Sequence, residues 1–153
     1  MTDTIEPAAI TRVMGLDVGD RRVGVALSDD LGQTAQPLMT LHRKDHRAGL
    51  REDLRSLARL ARKHHCDRVV VGNPLYMSGD QSPQADKVRT FAEALHELSG
   101  LPLIYWDERL TTTEAHRHLH ASGRALPEHR AVVDQVAAVL ILQSWLDAQN
   151  NSR

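Results

Sequence analysis

Three carboxylates in this chain stand in settings that do not look like ordinary surface chemistry. Asp17 lies in Met14-Gly15-Leu16-Asp17-Val18-Gly19, on the side opposite Leu16 and Val18, and its glycine neighbours leave room for a ligand to approach the backbone. Asp107-Glu108 closes the apolar segment that starts at Leu101, where open α/β sheets place their ligands if that segment is a strand. Asp134 shares a helical stripe with Ala137, Ala138, Ile141 and Trp145, so an otherwise apolar face carries one charge. Taken singly, each has a plain explanation: Asp17 caps a turn, Glu108 pairs with Arg109, and Asp134 pairs with Arg130 one turn back. Taken together, Asp17, Glu108 and Asp134 form a set that would repel itself unless cations lie between its members.

Oxygen-only ligands suit hard divalent ions, so Mg²⁺ or Mn²⁺ is the expected cofactor. Two such ions about 4 Å apart can activate a water and steady the leaving oxygen in phosphodiester hydrolysis. Asp107 is the substitute for Glu108 at the end of that strand. An unneutralised Asp134 would also be strained, so removing its charge is expected to leave stability unchanged or raised. His116 and His120 have the i, i+4 spacing of a metal pair but no third ligand in view.

The elements that must position these acids can be read from periodicity. Met14, Leu16 and Val18, then Val23, Val25 and Leu27 after the Gly19-Asp20-Arg21 turn, give a β-hairpin, and a third strand follows Pro37 from about Leu38 to His42. Leu50, Leu54, Leu57, Ala58 and Ala61 mark a helix from Arg47 to His65, which leads into a buried strand from Arg68 to Gly72. Ser82-Pro83 starts a second helix that Gly100 stops, and Leu101 to Trp106 is a fifth strand. Thr111-Thr112-Thr113-Glu114 offers a capping box for a short helix ending near Gly123, Arg124 to Glu128 reads as a loop, and a final helix runs from about Ala131 to Ala148. The order predicts an α/β fold: a mixed five-stranded sheet, three strands antiparallel and then two parallel, with helices on both faces. Residues 1–11 read as a polar leader, 12–148 as one domain and 149–153 as a tail.

Composition narrows the function classes. A single cysteine, Cys66, excludes an intrachain disulfide framework and suits a reducing cytoplasm, and the longest apolar run, Val136 to Leu142, is far too short to cross a bilayer. With 19 Lys+Arg against 20 Asp+Glu, a polyanionic partner must be held by local patches rather than by overall charge. Arg47, Arg51, Arg55, Arg59 and Lys63 recur every fourth residue and could form such a patch, although a ridge of this kind is usually a solvated face.

Four stretches in order add a resemblance. Gly15-Leu16-Asp17-Val18-Gly19 with Arg22, Gly24, Ala26 and Ser28-Asp29, then Val71-Gly72-Asn73-Pro74-Leu75 with Gly79, then Asp107-Glu108-Arg109-Leu110-Thr111-Thr112 with Glu114-Ala115, and Val133-Asp134 with Ala137-Ala138 and Ile141-Leu142-Gln143 cover nearly the whole chain. Together they resemble the YqgF/RuvX family of the RNase H-like superfamily, described as Holliday junction resolvases or as pre-16S rRNA nucleases. The resemblance implies an RNase H-like domain and a metal-dependent hydrolase acting on ester bonds. Its strand-one aspartate falls on Asp17, its strand-five acid on Glu108 or Asp107, and its last-helix aspartate on Asp134. Arg22, Arg109, Thr111, Thr112 and Arg130 lie near these acids in sequence and are the candidate substrate contacts. The implied partner is structured RNA, with 5′ maturation of pre-16S rRNA as the reaction; branched DNA cut by a junction resolvase is the alternative, and the sequence allows a monomer or a homodimer. Because strand order separates Asp17 from Glu108 by two spacings, about 9.6 Å, Glu108 must lean inward to share metals with it.

Two further classes compete. A non-catalytic ribosome- or transcription-associated factor could keep the fold, although all three acids are present. Gly15-Leu16-Asp17-Val18-Gly19 also resembles the first phosphate loop of the actin and sugar-kinase superfamily, whose members clasp ATP between two related domains. Only one domain fits in 153 residues, so equilibrium dialysis should show no stoichiometric ATP binding at micromolar affinity; such binding would restore the ATP-binding class.

Overall fold

Residues 11–44, 47–111 and 127–151 are described by the structure, a computed structural model, with the side chains of residues 47–48 and 127–131 outside that description. The elements are β1 (Arg12–Val18), β2 (Arg22–Ser28), β3 (Ala35–His42), α1 (Arg47–Lys63), β4 (Cys66–Asn73), α2 (Pro83–Ser99), β5 (Leu103–Asp107), a 3-10 turn (Glu108–Leu110) and a long helix, here α3 (Pro127–Asn151). They build one five-stranded sheet in the order β3-β2-β1-β4-β5. The β1–β2 and β2–β3 pairs are antiparallel and the β1–β4 and β4–β5 pairs parallel, as the sequence pattern predicts. No described helix is long and apolar enough to cross a membrane.

Alternation along the strands sends side chains to two different cores. Met14, Leu16, Val18, Val23, Val25, Leu27, Val69 and Val71 pack with Leu54, Leu57 and Ala61 of α1 and Val88, Phe91, Ala92 and Leu95 of α2. Val13, Ala26 and Val70 face the other way and pack under Ala138, Ile141, Leu142 and Trp145 of α3. Asp17, being odd in the same register, falls on the α3 side.

That second face is unusually thin. A Cβ built on Gly24 would stand 2.0 Å from the Asp134 carbonyl oxygen, one on Gly15 would stand 2.7 Å from Leu142 Cβ, and one on Gly72 would stand 2.5 Å from Ile141 Cδ1. The helix backbone therefore rests almost on the sheet backbone, an approach that only residues without a side chain permit.

Several boundaries differ from the periodicity. β3 begins at Ala35 rather than Leu38, because an edge strand tolerates Pro37 where a central one would lose a ladder bond, and a bulge at Val25/Ala26 adjusts the register beside it. α3 starts at Pro127, inside the expected loop, since proline is well suited to the first turn of a helix. It also continues to Asn151, through residues expected to be tail, where Asn150 Nδ2 donates to the Gly32 carbonyl at 3.2 Å. α2 is capped as expected: Ser82 Oγ accepts from Ala85 N at 3.0 Å and donates to the Pro74 carbonyl at 2.5 Å, and Gly100 closes it at φ 74°. The short helix expected from Thr111 to Gly123 lies outside the described residues beyond Thr111, as do Thr112, His116, His120 and most of the expected leader.

The seating of α3 yields a comparison of two glycine replacements. Gly24→Ala should cost about 3 kcal/mol, because a methyl group would have to displace helix backbone. Gly32→Ala should cost only about 1 kcal/mol, because the site is open and the penalty is that of a left-handed φ of 68°. Urea unfolding of both variants checks this; equal losses would mean that α3 does not lie on Gly24.

Candidate active site

Asp17 is near the C-terminal end of β1, opposite Gly24 of β2 in the ladder. Glu108 begins the 3-10 turn just beyond β5. Between their strands runs β4, and its Gly72 is the residue that joins them: a Cβ there would stand 2.6 Å from Glu108 Oε1 and 3.2 Å from Glu108 Cγ. Glu108 thus lies back across β4 toward Asp17, the inward lean that the two-strand gap requires. Asp134 comes down on the same patch from α3, its backbone carbonyl over Gly24.

The electrostatics tie the three acids together. Burial, followed by the charge of Asp134, pushes the Asp17 carboxyl up to about 7. Burial, then Asp17, then Asp107, pushes Glu108 up to about 7 as well. Asp17 is therefore the middle member, sensing Asp134 on one side and sensed by Glu108 on the other.

Asp107 behaves differently from its neighbour. Its carboxylate accepts from Arg109 N at 2.9 Å and is gripped by the Arg109 guanidinium, with Nη2 at 2.6 Å and Nε at 3.0 Å. The Arg109 side chain holds it below the usual carboxylate range. The same guanidinium donates from Nη1 to the Met77 carbonyl at 3.1 Å and lies beside Gly79. Asp107 and Arg109 thus lock the end of β5 to the loop after β4. Thr111 is buried, and its hydroxyl donates to the Glu108 carbonyl at 2.6 Å, fixing the turn that aims Glu108. Of the other candidate contacts, Thr112 and the side chain of Arg130 lie outside the described residues.

Arg22 is the surprise of the site. Its Nε donates to Asp134 Oδ2 at 2.5 Å. The expectation of an unneutralised, strained Asp134 is thereby corrected, because a strand-borne guanidinium already compensates it. Arg22, Gly24 and Ala26 alternate along β2 on the side that faces α3, so Arg22 is the one charge in a small-residue row. That periodicity was the available signal for the pairing. Among the described residues no three potential ligands are already gathered at metal-binding spacing; Asp134 is drawn to Arg22 instead.

A cleft of about 330 Å³ opens over Gly19, Asp20, Arg21, Arg22 and Asp134. A second, of about 640 Å³, continues from Asp20, Arg21 and Arg22 to His42, Arg43 and Lys44. The sequence reading did not identify Arg21, Arg43 or Lys44 as functional, because the turn and the end of β3 are distant in sequence and meet only through the β2–β3 ladder.

Residues 11–148 match the family model described as "RuvX: Holliday junction resolvase". The chain belongs to the RuvX family. Similar curated proteins carry the name "Putative pre-16S rRNA nuclease". That of Syntrophus aciditrophicus is 47% identical over 137 residues, covering 90% of this chain and 89% of its own. That of Moorella thermoacetica is 48% identical over 136 residues, covering 89% and 94%. Among solved structures, Thermus thermophilus RuvC in complex with a Holliday junction substrate superposes with a TM-score of 0.56 at 13% identity, covering 92% of this chain and 96% of that one. The RuvX chain thus has the RNase H-like fold of RuvC.

The raised carboxyls generate a pH dependence in metal-free protein. Asp17 and Glu108 titrate near 3.8 and 4.5 ordinarily but near 7 when folded. Between those limits the folded state holds more protons than the unfolded one, so these groups lower stability as pH rises from about 4 to about 7. Melting temperatures in EDTA should fall across that window, and Asp17→Asn/Glu108→Gln should flatten the fall. Parallel curves for parent and variant would refute the shifts.

Proposed function

We propose that this chain is a divalent-metal-dependent nuclease that processes the 5′ end of pre-16S rRNA in the cytoplasm, with Asp17, Glu108 and Asp134 as its metal-binding carboxylates. The observation that carries the reading is the convergence, in a RuvX-family chain, of Glu108 reaching across Gly72 and Asp134 lying over Gly24, the ladder partner of Asp17. Curated relatives named as pre-16S rRNA nucleases support the choice of substrate.

The donor set fits hard cations. It consists of carboxylate oxygens, and the burial and repulsion that push two of its members up to about 7 would be relieved by positive charge among them. Mg²⁺ or Mn²⁺, two ions in the fullest form, would supply Lewis acidity and a water acidified enough to attack phosphorus. This chain's own residues do the positioning. Gly72 clears the path along which Glu108 reaches inward, Thr111 holds the turn that carries it, and the Asp107–Arg109 pair anchors that turn to the loop after β4. Arg22 keeps the Asp134 carboxylate beside the sheet, and its guanidinium, at the cleft, is placed to meet a phosphate oxygen.

A junction resolvase is the second reading, favoured by the description of the matching family model. It would need two such sites on a symmetric dimer to cut paired strands.

Incubation of pre-16S rRNA and a four-way DNA junction side by side with Mn²⁺ separates the two. The expected result is shortening of the rRNA precursor at its 5′ end, lowered about 100-fold or more by Asp17→Asn or Glu108→Gln, since even outer partners of metal ligands cost 10–100-fold. Symmetric junction cleavage without rRNA processing would select the resolvase. Calorimetry gives a readout apart from cleavage: if Asp17→Asn binds Mn²⁺ as well as the parent, the ligand assignment fails.

A further inference from the structure

The charge of the chain sums to −1, yet it is not evenly spread over the surface near the acids. The cleft that contains Asp134 shares Asp20, Arg21 and Arg22 with the larger one beside it, so the two form a continuous groove. Among the described residues the larger part is lined by Arg21, Arg22, Arg43 and Lys44, with His42 and one acid, Asp20. That acid already has Lys87 Nζ at 3.6 Å. Arg22 is paired with Asp134 and Lys44 with Glu52, so the local positive field that the near-neutral total conceals comes mainly from Arg21 and Arg43.

The groove is held in shape by the backbone. Gly19 N donates to the Arg22 carbonyl at 2.9 Å to close the β1–β2 turn, and Arg43 N donates to the Arg21 carbonyl at 2.8 Å to bind the turn to the end of β3. Arg43 is a fixed wall: Nη1 donates to the Gly19 carbonyl at 2.8 Å and the guanidinium stacks 4.8 Å from the Phe91 ring. Arg21 and Lys44 are exposed on its rim. Lys44 bonds Glu52 through its ammonium, but that pair is about half exposed and so exchanges readily with another anion. A rigid groove bordered by arginines that reaches Asp134 suits a phosphodiester backbone, whose charges repeat along its length.

We propose that the nucleic-acid strand leaves the Asp17–Glu108–Asp134 cluster across the Gly19–Arg22 turn and runs toward the end of β3, with Arg21 and Lys44 binding phosphates beyond the cleavage point. The inference rests on the nuclease reading above and adds the direction of the substrate. It also moves the main electrostatic contact away from the arginine ridge of α1. Arg51, Arg55 and Arg59 are exposed, but none lines either part of the groove.

Fluorescence anisotropy in EDTA, where cleavage is stopped, tests the track with a structured RNA and a four-way DNA junction as probes. Arg21→Gln/Lys44→Gln should weaken binding about tenfold near 0.15 M salt and lower the slope of log K against log salt by about 2. Arg51→Gln/Arg55→Gln/Arg59→Gln should stay within about twofold of the parent. A loss confined to RNA or to DNA supports the track and identifies its ligand. Equal losses from both variants, or a loss from the α1 variant alone, would overturn it. Arg21→Gln alone, expected to lower the slope by about 1, keeps the test open should the double variant melt early. A parent that binds neither probe in EDTA or in Ca²⁺ would sink the nuclease reading itself, a result distinct from a misplaced track.

Discussion

Helix α3 can lie where it does because Gly15, Gly24 and Gly72 have nothing above the backbone to hold it off. The rest of the site follows from that contact. With the helix axis so close to the sheet, a side chain as short as aspartate at position 134 reaches β2 and the vicinity of β1, and Ile141 closes over Gly72 beside Glu108. A methyl group at Gly24 or Gly15 would lift the helix and with it the third acid, whereas one at Gly72 would press on the Ile141 tip and on Glu108 itself. The glycines therefore set the spacing of the three acids, although none carries a functional group.

Closeness also sets the electrostatic problem. Asp17 is buried against a sheet with one carboxylate above it and another reaching across β4, and the protein tolerates this by two means. Asp17 and Glu108 bind protons more tightly than ordinary carboxyls, and Asp134 is matched by Arg22. Asp107, although adjacent to Glu108 in sequence, is withdrawn from the cluster by Arg109. Two neighbouring acids thus take opposite roles through their surroundings: one is held charged and structural, the other is pressed toward neutrality beside Asp17.

Much of this was legible in the sequence. Alternation in Met14–Val18 and Val23–Leu27 pointed to both the hairpin and the face of Asp17, and the apolar stripe that Asp134 shares with Ala137, Ala138, Ile141 and Trp145 marked the buried face of the last helix. The sequence also required Glu108 to bridge two strand spacings, but it did not show how. The answer was the missing side chain of Gly72, which becomes meaningful only when β4 is known to lie between β1 and β5. Arg22 was marked as a substrate contact for its nearness to Asp17 in sequence, and its pairing with Asp134 was missed because Arg130, one turn away on the same helix, was the nearer partner in sequence. The trace that the β2–α3 contact left in the sequence was the alternation of Arg22 with Gly24 and Ala26, which names a face of β2 but not its partner. The Arg21–Lys44 groove was hidden for the same reason, since its two sides meet only across the β2–β3 ladder.

The placement of Asp134 on α3, far along the chain from Asp17, has a bearing on synthesis. Translation delivers β1 first and α3 only after every other described element. A chain made only as far as the turn after β5 has no third acid, and Ala26 and Val70 still lack the helix that buries them. The set of three acids is thus complete only once α3 has been made, so a chain cut short before Asp134 lacks one of them by the order of its own elements.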